Sequence, residues 1–356
     1  MMRLISGYIG REVFNSISIA LLVIVGLDAV TAVIDETDAI RNNYNFSDVL
    51  IYVSITIPSR VHEYIPVATL IGCLFGLGQL ANNSELIVMR AAGISVFQIV
   101  IFVFRPVLVF ILVGIFLGEY IAPYLDQLAN GQRQYLRKGE STLDSASGLW
   151  IREGAQFMHF NAVFPGGVLF GVARYNFSDD KRISEASFAS RATYNSAEGY
   201  WVEENVSITH FHADRTEVDK KLTRIWRSEL TPQLLLVNAL SADRLSMSTL
   251  FYYMDFLKQQ GARAAVYELA FWRKLIQPLV ILGLVMLGIS FVFGPLRNSA
   301  MGSKIFVGVL VGVVFNIFQD MIGPTSIVMG FSPLFAVMTP ALMCIAAGLY
   351  LLRRER

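Results

Sequence analysis

The sequence predicts an α-helical membrane protein with six transmembrane helices and an all-β domain inserted between helices 3 and 4. Three observations predict it. Of the 356 residues, 54% are hydrophobic and only 16% charged, against about 25% charged in an average soluble domain. Six stretches approach the ~20 apolar residues that cross the ~30 Å hydrocarbon core as a helix. Charge gathers in one central segment, residues 139–267, with 13 basic and 15 acidic side chains. Mean hydropathy is +0.52. With 29 Lys+Arg against 28 Asp+Glu the net charge is +1. That balance excludes a generally basic nucleic-acid binder, an acidic solvating chain and a disordered one.

In chain order the spans are Val13–Ile34, Tyr64–Ala81, Val96–Leu117, Leu275–Phe293, Ile305–Ile322 and Leu334–Leu352. The first runs into Asp35-Glu36 without a small-residue cleavage site, so it reads as an uncleaved signal-anchor. Val49–Ile57 is too short to cross and ends at Pro58-Ser59-Arg60; it lies at the interface or extends the second helix. Arg3, Arg11, Arg90, Arg297, Lys304, Arg353, Arg354 and Arg356 fall on one side of this arrangement. By the bias of basic residues that side is the cytoplasm, with both termini inside. The segment from Ile34 to about Tyr64, the large insert and the Gly323–Pro333 link lie outside. The expected division is 1–138 (spans 1–3 with a cytoplasmic helix at 84–92), 139–245 (the β domain) and 246–356 (a connecting helix and spans 4–6).

Within the insert, Gly148–Val163, Val168–Phe177, Ile183–Tyr194, Trp201–Phe211 and Leu222–Leu230 alternate apolar and polar residues. Turn residues separate them at Pro165-Gly166-Gly167, Ser178-Asp179-Asp180 and Ser196–Gly199. Such spacing predicts a sandwich, barrel or jelly roll. Leu245–Gly261 reads as helix. Phe157, Phe160 and Phe170 are expected to point inward, as core or as a surface for lipid.

No GxxxxGK[ST], GxSxG or HExxH string occurs. His210 and His212 share one side of a strand, but two histidines without a third ligand read as a solvated face, and no metal site is expected. Cys73 and Cys344 sit in apolar runs and build neither a disulfide framework nor a zinc site.

The loop NSELIVMRAAGIS at 83–95 is more informative. Ser84 is placed to cap a helix, Glu85 stands in its first turn and Gly93 ends it. About two turns result, with Leu86 and Met89 on one face and Arg90 beside them. The helix either docks into a groove on a cytosolic partner or lies on the membrane surface. Asp28, Arg105 and Asp320 are charges inside spans, each costing ~2.5–3.5 kcal/mol near a helix centre unless paired or facing water. Gly308 and Gly312 form a GxxxG pattern that permits close helix approach.

These strings, together with YIGREVF at 8–14, GEYIAP at 118–123, LIQPL at 275–279, SFVFGPLR at 290–297 and QDMIGP at 319–324, resemble the LptF/LptG (YjgP/YjgQ) family of lipopolysaccharide-export permeases. Taken together they resemble its LptG branch more than LptF. The resemblance implies an ABC-type exporter of the Gram-negative inner membrane. LptF and LptG pair pseudo-symmetrically over an LptB ATPase dimer, and LptC adds a helix and a periplasmic domain. ATP and magnesium then act in LptB, and no cofactor is expected in this chain. It also implies that 83–95 is the coupling helix, with Glu85, Leu86, Met89 and Arg90 meeting the ATPase, and that the insert is a periplasmic jelly roll. Lipid A phosphates require cations near the outer interface: Arg41 and Arg60, then Arg133 and Arg137, are the candidates, with interfacial snorkelling as the other reading. Where the family carries lysines beyond span one, this chain has Ala32, Asp35 and Asp38. Asp28, Gly308, Gly312 and Asp320 are the gate and cavity candidates. The competing functions are an ion-coupled transporter using Asp28 and Asp320, another six-span lipid transporter, and a scaffold that displays the β domain.

Overall fold

The computed structural model describes residues 2–40, 43–138, 149–178, 182–212, 214–259, 264–294 and 299–354. Among the described residues, six helices are long and apolar enough to cross a membrane. They are α1 (Met2–Thr37), α2 (Phe46–Asn82), α4 (Val96–Phe116) running on through a π-turn into α5 (Ala122–Lys138), α8 (Ala265–Phe293), α9 (Met301–Met329) and α10 (Pro333–Arg354). A short helix α3 (Glu85–Ala91) joins α2 to α4. Val49–Ile57 belongs to α2, whose interior also holds Pro58 and Pro66.

The expected external link at Gly323–Pro333 is corrected, because α9 continues through Gly323-Pro324 to Met329. Proline removes one N–H from the helix ladder. The helix nonetheless continues, and past the proline the Thr325 hydroxyl donates to Met321 O and the Ser326 hydroxyl to Gly323 O, each at 2.6 Å. Gly330, at φ +74°, ends the helix in the left-handed conformation that glycine adopts without penalty.

Two compact units divide the chain. Residues 1–30, 57–122 and 246–356 form the first. Its core is Ile9, Val13 and Ile17 of α1 with Leu70, Leu74 and Leu77 of α2, Ile99 and Val103 of α4, and Leu284, Val285 and Ile289 of α8.

The second unit comprises 31–56 and 123–245 and contains β1 (Leu149–Glu153), β2 (Gln156–Phe164), β3 (Val168–Phe177), β4 (Ile183–Asn195), β5 (Tyr200–Phe211) and β6 (Thr216–Trp226). The strands pair antiparallel in chain order, each with its neighbours. Three details differ from expectation. The first predicted strand is two, because Gly154 at φ +60° turns the chain. The last begins at Thr216 rather than Leu222; it is exposed along most of its length, so no alternation of burial marks its start. Pro232–Ala239 is a helix, α6.

A crease folds this sheet. Pairing lapses at Asn161, Gly171, Ser190 and Asn205, which lie in line on β2 to β5. Gly171 (φ +60°) and Asn205 (φ +53°) turn the backbone there. Val163, Leu169 and Ala192 on one side of the line share a core with Phe160, Val172, Ala189 and Val206 on the other. Those two rows are three residues apart, and in a flat sheet an odd separation points to opposite faces. The sheet therefore turns over along the crease and packs on itself, which gives the jelly-roll-like insert. Phe160 is fully buried, Phe170 half-buried and Phe157 exposed, so only Phe160 is core as expected.

Arg174 of β3 meets Glu203 of β5 from opposite sides of the crease, Nη2 to Oε2 at 2.7 Å. Both are nearly inaccessible, and Arg174 also lies over the Trp226 ring. Burial pushes the Glu203 carboxyl above its usual range, and the Arg174 guanidinium draws it back.

Candidate functional site

The connector α3 is seven residues long. Its start departs from expectation: Ser84 sits at φ +62° and its side chain makes no capping bond. The carboxylate of Glu85 instead accepts from Asn83, whose Nδ2 donates to Oε1 at 3.2 Å. Gly93 at φ +88° ends the segment, as the sequence indicated. Leu86 is buried in the core of the helical unit, and Met89 packs against that core. The outward face is Ile87, Val88 and Arg90, with Ile87 52% and Val88 66% exposed. Leu86 and Met89 are thus the anchor of α3, and its free apolar surface belongs to the two residues between them.

Three of the charges within the spans have different partners: an arginine in an ion pair, a serine hydroxyl and a more distant arginine. Asp28 of α1 forms an ion pair with Arg60 of α2 and accepts from the Tyr64 hydroxyl at 2.8 Å. From sequence, Asp28 faces the cavity or pairs with a neighbour that the sequence does not name, and Arg60 is an anion ligand or an interfacial snorkel. The geometry brings the two together, about a fifth exposed each. Tyr64 was missed, although it stands one helical turn from Arg60 on the same face. Arg105 of α4 donates to Ser6 Oγ at 2.8 Å, tying α4 to α1. Asp320 is 75% exposed and lies 3.6 Å from Arg273 of α8, which donates to Gln319 O at 3.2 Å.

Arg133 of α5 donates from Nε to Glu36 Oε1 at 2.5 Å and lies over the Tyr52 ring. The Tyr44 hydroxyl beside this pair is raised well above its usual range by burial and by the Glu36 charge. Arg137 is half-buried on the same helix. Arg41 lies outside the described residues.

Gly308 and Gly312 of α9 face α2 of the same chain. A Cβ on the first would lie 2.6 Å from Leu74 Cδ1, and on the second 2.9 Å from Val67 Cγ1. The close approach is made inside this unit. Lys304, taken from sequence as a loop cation, lies one turn earlier on α9 and is fully buried.

The GEYIAP string also acquires a geometry. Leu117–Ile121 is a π-turn, a feature frequent at functional sites. Glu119 there accepts from the backbone N–H of Met247 at 2.7 Å and of Ser248 at 3.2 Å, capping α7 (Met247–Gln259). The Gly118 carbonyl accepts from Lys274 Nζ at 3.2 Å.

His210 and His212 each lie 3.7 Å from a glutamate, Glu185 and Glu217. Among the described residues no three potential ligands gather as a metal group.

Six spans, an inserted folded sheet and a half-buried connector helix between two spans define a multi-pass membrane protein with the plan of a transport subunit. The model of the family "Lipopolysaccharide export system permease LptF/LptG" matches residues 7–354. The chain is 30% identical over 357 residues to lipopolysaccharide export system permease protein LptG of Haemophilus influenzae, covering 100% of both chains. It is 31% identical over 350 residues to the protein of that name from Escherichia coli K12, covering 98% of this chain and 97% of the relative. This chain belongs to the LptF/LptG family of lipopolysaccharide export permeases, and the relatives it resembles are of the LptG kind.

Proposed function

We propose that this chain is the LptG-type half of an ABC exporter that draws lipopolysaccharide from the Gram-negative inner membrane. In this reading it pairs with LptF, works with LptC, and is driven by ATP hydrolysis in an LptB dimer, where ATP and magnesium bind. Both termini and α3 lie in the cytoplasm and the folded sheet in the periplasm, which passes the lipid toward the outer membrane. The reading rests on family membership and, for the mechanism, on α3. A connector anchored by Leu86 and presenting Ile87, Val88, Arg90 and a braced Glu85 has the shape of a rigid plug for a groove on a partner. ATP-driven closure of the ATPase moves α3, and the spans narrow around the lipid. Glu85 receives a charge-assisted bond from an LptB arginine.

Arg41, Arg60, Arg133 and Arg137 are the proposed ligands of lipid A phosphate. Arg60 and Arg133 each already hold a carboxylate, so a phosphate reaches them only in competition with Asp28 and Glu36. The Asp28–Arg60 pair also counts against the ion-carrier reading, since both oxygens of the Asp28 carboxylate are already engaged, one by Arg60 and one by the Tyr64 hydroxyl.

The test is Glu85→Ala in the complex reconstituted with LptB, LptF, LptC and lipopolysaccharide. Loss of coupled ATPase activity and lipid release, or weakened LptB association, supports the reading. All three at wild-type levels overturns the role of Glu85.

A further inference from the structure

Lys304 has a setting that orientation by basic residues does not explain. Its side chain is fully buried on the first turn of α9. Nζ donates to Asn82 Oδ1 at 2.8 Å and is 3.4 Å from Gly78 O, both in the last turn of α2. Among the described residues it has no carboxylate partner. A buried ammonium is costly unless donors and acceptors are matched. Here it sits at the negative end of the α2 dipole, where a cation is favoured.

Space for the lysine stem is built in. A Cβ on Gly78 would stand 2.9 Å from Lys304 Cδ and 3.3 Å from Met301 Sδ. Further contacts follow at helical spacing: Gly308 against Leu74, then Gly312 against Val67. The numbering ascends on α9 as it descends on α2, so the two helices form an antiparallel pair zipped along one seam. Asn82 is the last residue of α2, and Asn83, the next, braces Glu85 of α3.

We infer that Lys304 is a positioning residue that pins the base of α9 to the end of α2, so that displacement of α3 carries α2 and α9 together as one lever. The inference rests on the proposed coupling role of α3. Without the pin, α3 would still engage an ATPase, but its motion would be lost in slippage at the end of the seam nearest to it.

Lys304→Met tests this, because it keeps an apolar stem of similar length and removes the ammonium. The full complex with LptB is reconstituted in lipopolysaccharide-containing proteoliposomes, and lipid released per ATP hydrolysed is measured beside ATPase activity and thermal stability. Release per ATP is expected to fall about tenfold, within the usual range of coupling between sites, while hydrolysis and LptB association persist. Asn82→Leu is expected to do the same, the double variant to be no worse than either single, and Asn82→Asp, which keeps an acceptor for the ammonium, to retain coupling. Release per ATP at the wild-type ratio in Lys304→Met overturns the inference. So does loss of LptB association with a large fall in melting temperature, which would make Lys304 a folding residue alone. Failure of the parent reading is separately visible: the wild-type chain itself would bind no LptB, and the inference would fall with it.

Discussion

At the scale of single residues, charges inside the spans are held by specific partners, neutral ones for Arg105 and Lys304 and an opposite charge for Asp28. Asp28 and Arg60 satisfy one another between α1 and α2, with Tyr64 closing the remaining carboxylate oxygen. Removing one partner leaves the other exposed to a poorly solvating environment, which costs several kcal/mol when burial is complete and less here, where both are partly exposed. Asp28→Arg and Arg60→Asp should each lower the melting temperature of the purified chain, and the double exchange should recover most of the loss. Absence of recovery would mean that the pair does not act as a unit. The sequence displayed both charges but not their meeting. They are 32 positions apart on different helices, and neither periodicity nor charge counting reports which faces two helices turn to each other. Ser84 shows the opposite failure. Its residue type fits a cap, yet a left-handed backbone at that position points the hydroxyl elsewhere, and residue preference carries no information about such a twist.

At the scale of elements, the six spans were legible because length and hydropathy alone define them, whereas their ends were not. Gly323-Pro324 reads as a break, but α9 runs through it to Met329, with the Thr325 and Ser326 hydroxyls bonded back to carbonyls of the same helix. β6 was half-read because nothing in an exposed strand alternates. The crease was invisible for a different reason: it depends on where Gly171 and Asn205 fall in register, not on composition. Gly171→Ala should destabilise the insert by about 1–3 kcal/mol, since the position requires positive φ and a Cβ would lie 2.2 Å from Asn161 Nδ2. Hydrogen exchange of the strands in the full chain would register it. Arg174→Met alone should cost on the order of 3 kcal/mol, because it leaves the buried Glu203 with only the more distant Arg224, at 3.9 Å, and Arg174→Met with Glu203→Leu should cost less. Glu119→Ala should fray the start of α7 by about 1 kcal/mol, the usual worth of a helix cap, seen as faster exchange at Met247 and Ser248.

At the scale of the whole molecule, family membership was readable from strings spread over the full length, and a match from residue 7 to 354 agrees with it. Which face of α3 is free was not readable. The heptapeptide ELIVMRA offers several apolar residues, and only packing reveals that Leu86 is spent on the core while Ile87 and Val88 are left outside. That distinction supplies the most direct measurement of the central claim, that α3 receives the stroke of a partner ATPase. A photoreactive residue placed at Val88, and separately at Leu86, in membranes that also contain LptB should give an LptB adduct from Val88 and little from Leu86. No adduct from Val88 with LptB bound to the complex, or labelling of Val88 by a membrane-impermeant reagent from the periplasmic side, would contradict it.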